Sequence, residues 1–558
     1  MDDHLQQVPI NEKTQPEQVE YLKKTITVDT LHGDEAVKVL AGYDGDLAWS
    51  ATEEKKLVRK IDRRLLTILC ITYGLQYYDK AMLSQAALFG LRTDLELTVG
   101  IRYSLSAAIF YPGFIFGAYP AIVLAQRYPI ERVIFAIVLL WGACLMCTAG
   151  VTSHNGLYVQ RFFLGALEAG VSPGWMLVVG GWYKKQEQAL RMGIWYSMTG
   201  YVSIVSPLIN YGLGHIHGSL SPWRYMYLVA GAITILWAFV ILLFMPPDPI
   251  RAKRFTEREK YIAVARRREN NSGVRNTHFK IEQLWETLRD LRFWLCFFMA
   301  PEHRDDLLTL PLTDMRLTML VANGPVSTFA PIIINDLGFS GLNSLLLYVY
   351  ILGHTSLASL GLQLYELLSR ICDFDSRPIE LVMPAGAVIG TIEWTVPYLC
   401  YRYKGLRSYM VAITVCGTIL ASLLLWKLPQ SATGAKLFAV YILAAYGGGY
   451  AVLMSLQIAN TAGYTKRSVG SSGMFVGYCL GNFMGPLVFL QSEKPYYTTG
   501  WIVTIATSAI CVVLALVYRF VCARDNKMRD QGGVSEAFEH AYDDDLTDRT
   551  NPQFRYTL

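Results

Sequence analysis

Glu168, Arg161, Asp79 and Lys80 are ionisable residues set inside or at the edges of apolar runs. A charge is costly to bury in such a run, so each is a functional candidate by default. Glu168 follows Arg161 by seven residues, about 10 Å along a helix, which puts it near the middle of its run. A carboxyl there can take up a proton from one side and release it on the other. Gly165, Ala169 and Gly170 are small enough to let another helix come close. The plainer alternative is a buried pair with an Arg or Tyr that serves packing only. Arg161 can hold an anion, or it can snorkel toward polar surroundings. Asp79 and Lys80 are adjacent, so on a helix they face different partners. One of them can reach Arg161 or Glu168; otherwise they are a helix-end charge pair. The expectation is proton exchange at Glu168 and Asp79, and anion contact at Arg161 and Lys80.

Three further sites carry weaker signals. Tyr478 and Asn482 are four apart and share a helix face. Gly477, Gly481 and Gly485 lie one position away and favour close helix packing. The pair can bond a small molecule or simply bridge two helices. Asn323-Gly324-Pro325 interrupts a helical run, where proline removes a hydrogen bond and kinks the chain. Freed carbonyls and Asn323 can face a path, or the kink serves packing alone. Glu393 beside Trp394 is a second acid in an apolar run.

The elements that must position these residues are about a dozen apolar segments, each near the roughly 20 residues a helix needs to cross a bilayer. They run Leu65–Tyr78 (extending past Leu83), Ser104–Ala125, Val133–Val151, Gly156–Val179, Met192–Tyr211 and Tyr225–Phe244. After a charge-dense stretch, Arg251–Arg292, come Leu317–Ile334, Val382–Tyr401, Tyr409–Trp426, Lys436–Ile458, Val469–Phe489 and Trp501–Tyr518. The expected fold is an all-α membrane protein, a bundle of about 12 transmembrane helices in two six-helix halves. The organisation is a polar tail over 1–57, one half over 58–245, a central loop over 246–292, the other half over 293–520 and a second tail over 521–558.

Composition agrees with this class. The 558 residues are 53% hydrophobic and only 17% charged, against roughly a quarter charged in soluble domains. The basic residues are spread over short connections and form no basic domain, which argues against nucleic-acid binding. Lys and Arg crowd alternate loops: Arg127 and Arg132; Lys184, Lys185 and Arg191; Arg251–Arg268; Arg402, Lys404 and Arg407; Lys466 and Arg467; Arg519 and Arg524. The positive-inside rule then places both termini in the cytosol. Thr256 and Glu259 have capping-box spacing, so a short amphipathic helix is expected in the central loop. Cys144 and Cys147 are spaced C-x-x-C, but without a second pair or nearby His they read as small buried hydrophobes. No metal cluster or phosphate-binding glycine loop is apparent, so neither cofactor nor enzymatic activity is expected.

Several motifs, taken in order, resemble one family. Arg161-Phe-Phe-Leu-Gly-Ala-Leu-Glu168-Ala-Gly-Val-Ser-Pro-Gly174 is followed by Trp182-Tyr183, Glu187 and Arg191. Asp79-Lys80, Leu83-Ser84 and Phe89-Gly90 precede it. Asn460–Arg467 and Gly477-Tyr-Cys-Leu-Gly-Asn-Phe-Met-Gly-Pro486 come later. Over about Leu57 to Asp530 the chain resembles the fungal anion:cation symporter branch of the major facilitator superfamily, the allantoate-permease-like group. The resemblance implies a plasma-membrane, monomeric carrier in the lipid bilayer that takes up a small organic anion together with protons. Substrate types in that group include allantoate, ureidosuccinate, small peptides and vitamin carboxylates. It also implies a cytosolic latch, to which Arg127, Glu131, Glu187, Arg191, Lys466 and Arg467 are candidates. Efflux of a metabolite and a transport-inactive sensor are the alternatives.

Two stretches depart from the pattern. Residues 301–316 hold Glu302, Arg304, Asp305 and Asp306 where the seventh span should run, and each charge there would cost roughly 2.5–3.5 kcal/mol. Residues 348–380 lengthen the approach to the eighth span. Both are expected to be insertions, read as untranslated intron carried into the coding sequence; the alternative for the first is a seventh span that starts late, at Leu317.

Overall fold

The structure is a computed structural model that describes residues 43, 45–99, 102–214, 216, 218–252, 254–267, 280–298, 384–429, 432–443, 445–488, 493, 497–532 and 546–558. Asn323, the seventh apolar span and the stretches 301–316 and 348–380 lie outside these residues.

Helices account for the regular structure among the described residues. The first half of the chain contributes α1 (Ala51–Ile61), α2 (Thr67–Ala86), α3 (Phe110–Arg127), α4 (Ile130–Cys147), α5 (His154–Glu168), α6 (Val171–Trp182), α7 (Lys185–Tyr196), α8 (Met198–Gly214) and α9 (Pro222–Phe244). Then follow α10 (Glu257–Ala265), α11 (Ile281–Leu288) and α12 (Leu291–Phe298). The second half contributes α13 (Pro384–Arg402), α14 (Arg407–Lys427), α15 (Thr433–Leu443), α16 (Tyr446–Ala459), α17 (Tyr464–Val488) and α18 (Thr498–Gln531). Six spans among the described residues are long and apolar enough to cross a membrane: Leu105–Arg127, Ile130–Gly150, His154–Trp182, Pro222–Phe244, Arg407–Lys427 and Thr498–Gln531.

Within the first half α3 packs on α5, α4 on α9 and α2 on α8. Within the second, α14 packs on α16 and α18, and α13 on α16. The halves meet along two seams. One joins α7 and α8 to α13, with α7 also against α16; the other joins α3 and α6 to α17. Glycine sets how closely α5 lies against α3. A Cβ at Gly113 or Gly117 would collide with the carbonyls of Phe162 and Ala166, and one at Gly165 with that of Phe110. With only backbone at these positions the two helices approach closely, and the end of α5 carrying Glu168 is fixed by that contact.

The charged loops gather on one face, and several of their residues are not loop-like. Helix α1 begins at Ala51, inside the stretch read as a polar tail, where Ser50 Oγ accepts from Glu53 N at 3.2 Å. It runs through a π turn at Asp62–Leu66 into α2. Helix α10 has the expected capping box, with Thr256 Oγ1 accepting from Glu259 N at 3.2 Å and Glu259 Oε2 from Thr256 N at 2.9 Å. It is not amphipathic, however, because Tyr261, Ile262, Ala263, Val264 and Ala265 are all buried. Tyr43 stacks on Tyr261, and Trp49 meets the same ring edge-on, so this helix is covered by the preceding chain. Arg266 and Arg267, counted above as topogenic charges, are buried and donate to the carbonyls of Trp182 and Gly180 at 2.9 Å. Helix α18 continues to Gln531, beyond the expected end at Tyr518, and residues 546–558 fold back onto the same face.

Candidate functional site

Helix α2 presents Tyr73, Gln76, Tyr77 and Lys80 at positions i, i+3, i+4 and i+7, one helical face. These four, with Tyr196, Thr199, Ile389, Glu393, Tyr446 and Tyr478, line a cavity between the halves. The cavity is narrow and opens on one side. Lys80 is the lining cation. Its Nζ lies 3.2 Å from Oε1 of Glu168, and it stands over the rings of Phe110, Phe114 and Tyr478 at 5.6, 6.0 and 5.6 Å. Glu168 is fully buried while the Lys80 side chain keeps 21% exposure, so the acid is shielded and the ammonium is reachable from the cavity. The break between α5 and α6 falls just after Glu168.

The other first-half candidates sit behind this wall. Asp79 is buried and accepts from Trp141 Nε1 at 2.8 Å. Arg161 is buried and donates to the Tyr227 hydroxyl at 3.2 Å. Adjacent Asp79 and Lys80 thus take different partners, as residues one apart on a helix must. On the second half, Tyr478 lines the cavity and packs against Tyr450 and Phe475. Asn482 is buried and donates to the Tyr478 carbonyl at 2.8 Å, so its amide bonds its own helix one turn back. Neither Arg161 nor Asn482 is among the residues that line the cavity.

The latch candidates fall on the charged face. Glu187 takes Arg266 in a two-point contact at 3.1 and 3.0 Å and accepts from the Lys184 N–H at 3.1 Å. Arg191 reaches Asp62 at 2.9 and 3.3 Å, joining α7 to the turn before α2. Lys466 meets Glu286 and Asp290 at 2.8 Å and Asp548 at 2.9 Å. Arg467 is buried, with Nε donating to the Thr461 carbonyl at 3.3 Å. Arg127 ends α3 exposed, and Glu131 is half-buried in the first turn of α4. A contact across the seam also forms here: Gln126 Nε2 donates to Thr465 Oγ1 at 3.1 Å.

Apart from Tyr478, the tyrosines of the cavity went unread in the sequence, although the spacing of Tyr73, Gln76, Tyr77 and Lys80 was a usable signal. Glu393 was visible as a lone acid but not its partner. Thr199, from the first half, donates its hydroxyl to Glu393 Oε2.

A helical bundle of membrane-crossing spans, split in two around a polar cavity that holds a buried acid–base pair, defines a multi-pass membrane carrier. Residues 69–486 match the Major Facilitator Superfamily. The chain belongs to that family and resembles its allantoate-permease-like branch; it is a transporter and not an enzyme. It is 30% identical over 537 residues to allantoate permease of Saccharomyces cerevisiae, covering 94% of this chain and 90% of that protein. An uncharacterized transporter of Schizosaccharomyces pombe is 31% identical over 518 residues, 92% of this chain and 89% of its own. A thiamine pathway transporter of Saccharomyces cerevisiae is 27% identical over 522 residues, with 93% and 89% covered. Among solved structures, the proton:xylose symporter XylE bound to 6-bromo-6-deoxy-D-glucose has a TM-score of 0.53 at 11% identity, covering 84% of this chain and 96% of that one; this likeness concerns the fold.

Proposed function

We propose that this protein is a proton-coupled symporter that takes up a small organic anion by alternating access. The observation that carries the reading is the Lys80–Glu168 pair, 3.2 Å apart on the wall of the cavity between the halves. A single ammonium shared between a buried carboxylate and an incoming anion couples the two. While Glu168 is ionised it competes for Lys80. Once Glu168 is protonated that competition ends, and Lys80 turns to the anion. Proton and anion then enter together, and loss of the proton on the other side returns Lys80 to Glu168 and expels the anion.

Around this pair Tyr478 supplies a wall and hydroxyl for the substrate. Asp79, through Trp141, and Arg161, through Tyr227, hold α2, α4, α5 and α9 in register, and Asp79 is a second proton-exchanging group. The charged face is cytosolic in this reading: Glu187 and Arg191 order the first half there, Lys466 and Arg467 the second, and the Gln126–Thr465 bond across the seam holds that side shut while the cavity opens outward. The protein acts as a monomer in the plasma membrane. Kinship with an allantoate permease supports a carboxylate-bearing nutrient as substrate.

The test is uptake of labelled carboxylates into proteoliposomes with and without an imposed pH gradient, inside alkaline. Accumulation above equilibrium that requires the gradient is expected. Equal uptake with and without it would refute coupling.

A further inference from the structure

Residues 546–558 lie on the charged face and take no part in the function proposed above. Asp548, Asn551, Phe554 and Tyr556 are buried, although the segment forms no helix or strand. What seats it is a set of bonds to side chains of other elements.

Most of those bonds come from the second half. Asn460, the C-cap of α16, donates Nδ2 to the Thr557 carbonyl at 2.9 Å and accepts from the Thr557 N–H at 2.6 Å. Asn526 of α18 pairs with Tyr556 in the same way, at 2.8 Å in both directions. A primary amide carries an acceptor and donors side by side, so each asparagine meets the backbone as a neighbouring strand would. Arg529 of α18 donates to the carbonyls of Asp548 and Phe554 at 2.7 and 2.6 Å. Asp548 meets Lys466 at 2.9 Å and Arg292 at 3.2 Å, and accepts from the Tyr556 hydroxyl at 2.9 Å. Held by so many partners, the segment moves with the second half.

Its link to the first half is narrow. Lys185 opens α7; its Nζ stands 3.4 Å from the centre of the Phe554 ring and donates to the Arg555 carbonyl at 3.4 Å. Arg407, at the start of α14, closes a triangle. Its side chain donates to the Lys185 carbonyl at 2.6 Å, and its N–H donates to the Leu558 carbonyl at 3.2 Å. Burial, and after it the nearby Arg467, lower the pKa of Lys185. A neutral amine still donates that bond and still packs on the ring, so the link does not depend on the charge. The halves cannot part here without breaking the triangle.

We propose that residues 546–558 are a brace: docked on the second half, they hold Lys185 of the first and favour the state closed on the charged face. Release of the segment speeds opening on that side. The consequence for transport rests on the alternating-access reading; the brace itself rests on the contacts just given.

The test is hydrogen–deuterium exchange of the full chain in nanodiscs, in wild type, Phe554→Ala and Lys185→Met. It is read at the last turn of α3 and the first turn of α17, which the Gln126–Thr465 bond joins across the other seam. That bond involves neither substituted residue, so exchange there reports parting of the halves. Phe554→Ala is expected to raise exchange roughly tenfold or more at both turns and over 546–558. Lys185→Met leaves the bonds to the second half in place. It should raise exchange at the two turns while 546–558 stay protected, a pattern that a segment stabilising the second half alone would not give. Lys185→Met also decides the matter if Phe554→Ala folds poorly. Unchanged exchange at the two turns overturns the brace, whatever happens within 546–558. Counterflow of a labelled carboxylate in proteoliposomes should be faster in both variants; raised exchange with unchanged counterflow overturns the effect on transport. If wild type shows no counterflow of any carboxylate, the transport reading fails, while the exchange data still decide the brace.

Discussion

Lys80 and Lys466 are both largely buried lysines paired with acids, yet they are held in opposite ways. Lys80 has one acid partner at 3.2 Å and otherwise faces aromatic rings and a cavity. Lys466 has three, at 2.8, 2.8 and 2.9 Å, drawn from α11, the turn before α12 and the segment 546–558, and its side chain is 3% exposed. A cation with one partner and an open side can trade that partner for a ligand. A cation saturated by three acids on separate parts of the chain cannot change state until those parts move. The first arrangement suits binding; the second suits holding a face closed.

The sharpest way to break this contrast is Glu168→Gln. Gradient-driven accumulation in proteoliposomes should disappear while counterflow of labelled substrate continues, because Gln keeps the shape and loses the proton site. Retained pH-dependent uptake would remove Glu168 from coupling.

Lys80→Met comes next. It leaves Glu168 buried without its cation, and stranding one member of a buried pair costs about 3–5 kcal/mol. Thermal unfolding in detergent should show that loss. Adding Glu168→Gln to the same chain should restore most of the stability without restoring transport. Failure of the double variant to recover would mean that the pair serves packing beyond its charges.

Asp290→Asn probes the other lysine. Burial works against ionisation of Asp290, but Lys466 and Arg292 outweigh it and hold the carboxyl down at about 2. The folded value lies below the unfolded one of about 3.9. The acid therefore contributes stability above about pH 4, and that contribution is lost as pH falls toward 2. Between pH 4 and 7 the Asp290 carboxyl stays charged. The variant should lower stability by about 1–3 kcal/mol and leave the pH midpoint of uptake where it was. A moved midpoint would shift proton sensing from the cavity to the charged face.

The smallest effect is expected at Ser50→Ala, which removes the N-cap of α1 and costs about 1 kcal/mol. Hydrogen exchange over 51–61 should rise with uptake unaltered. A change in uptake would show that α1 takes part in closing the charged face.

Much of the architecture was legible because the bilayer imposes it. Spans near 20 residues and loops alternating in Lys and Arg follow from solvation alone, which local sequence reports. Glu168 and Lys80 were legible for the same reason, as charges inside or beside apolar runs. The burial of α10 was not. Its capping box could be read from Thr256 and Glu259, but its cover comes from Tyr43 and Trp49, some 200 residues earlier, and no periodicity within α10 announces it. For Arg161 and Asn482 the residue type suits a ligand, and only the packing shows what each one bonds: Arg161 donates to the Tyr227 hydroxyl and Asn482 to the Tyr478 carbonyl one turn back.

The sequence by itself determined that this chain threads a membrane many times and carries a few ionisable groups into that setting, because the cost of burying charge depends on residue type and local run length. Only the tertiary structure decided that Lys80 meets Glu168, that Thr199 meets Glu393 across the seam, and that residues 546–558 sit against both halves. Those partners come from helices far apart in the chain, and which polar groups satisfy one another is fixed by how the helices pack.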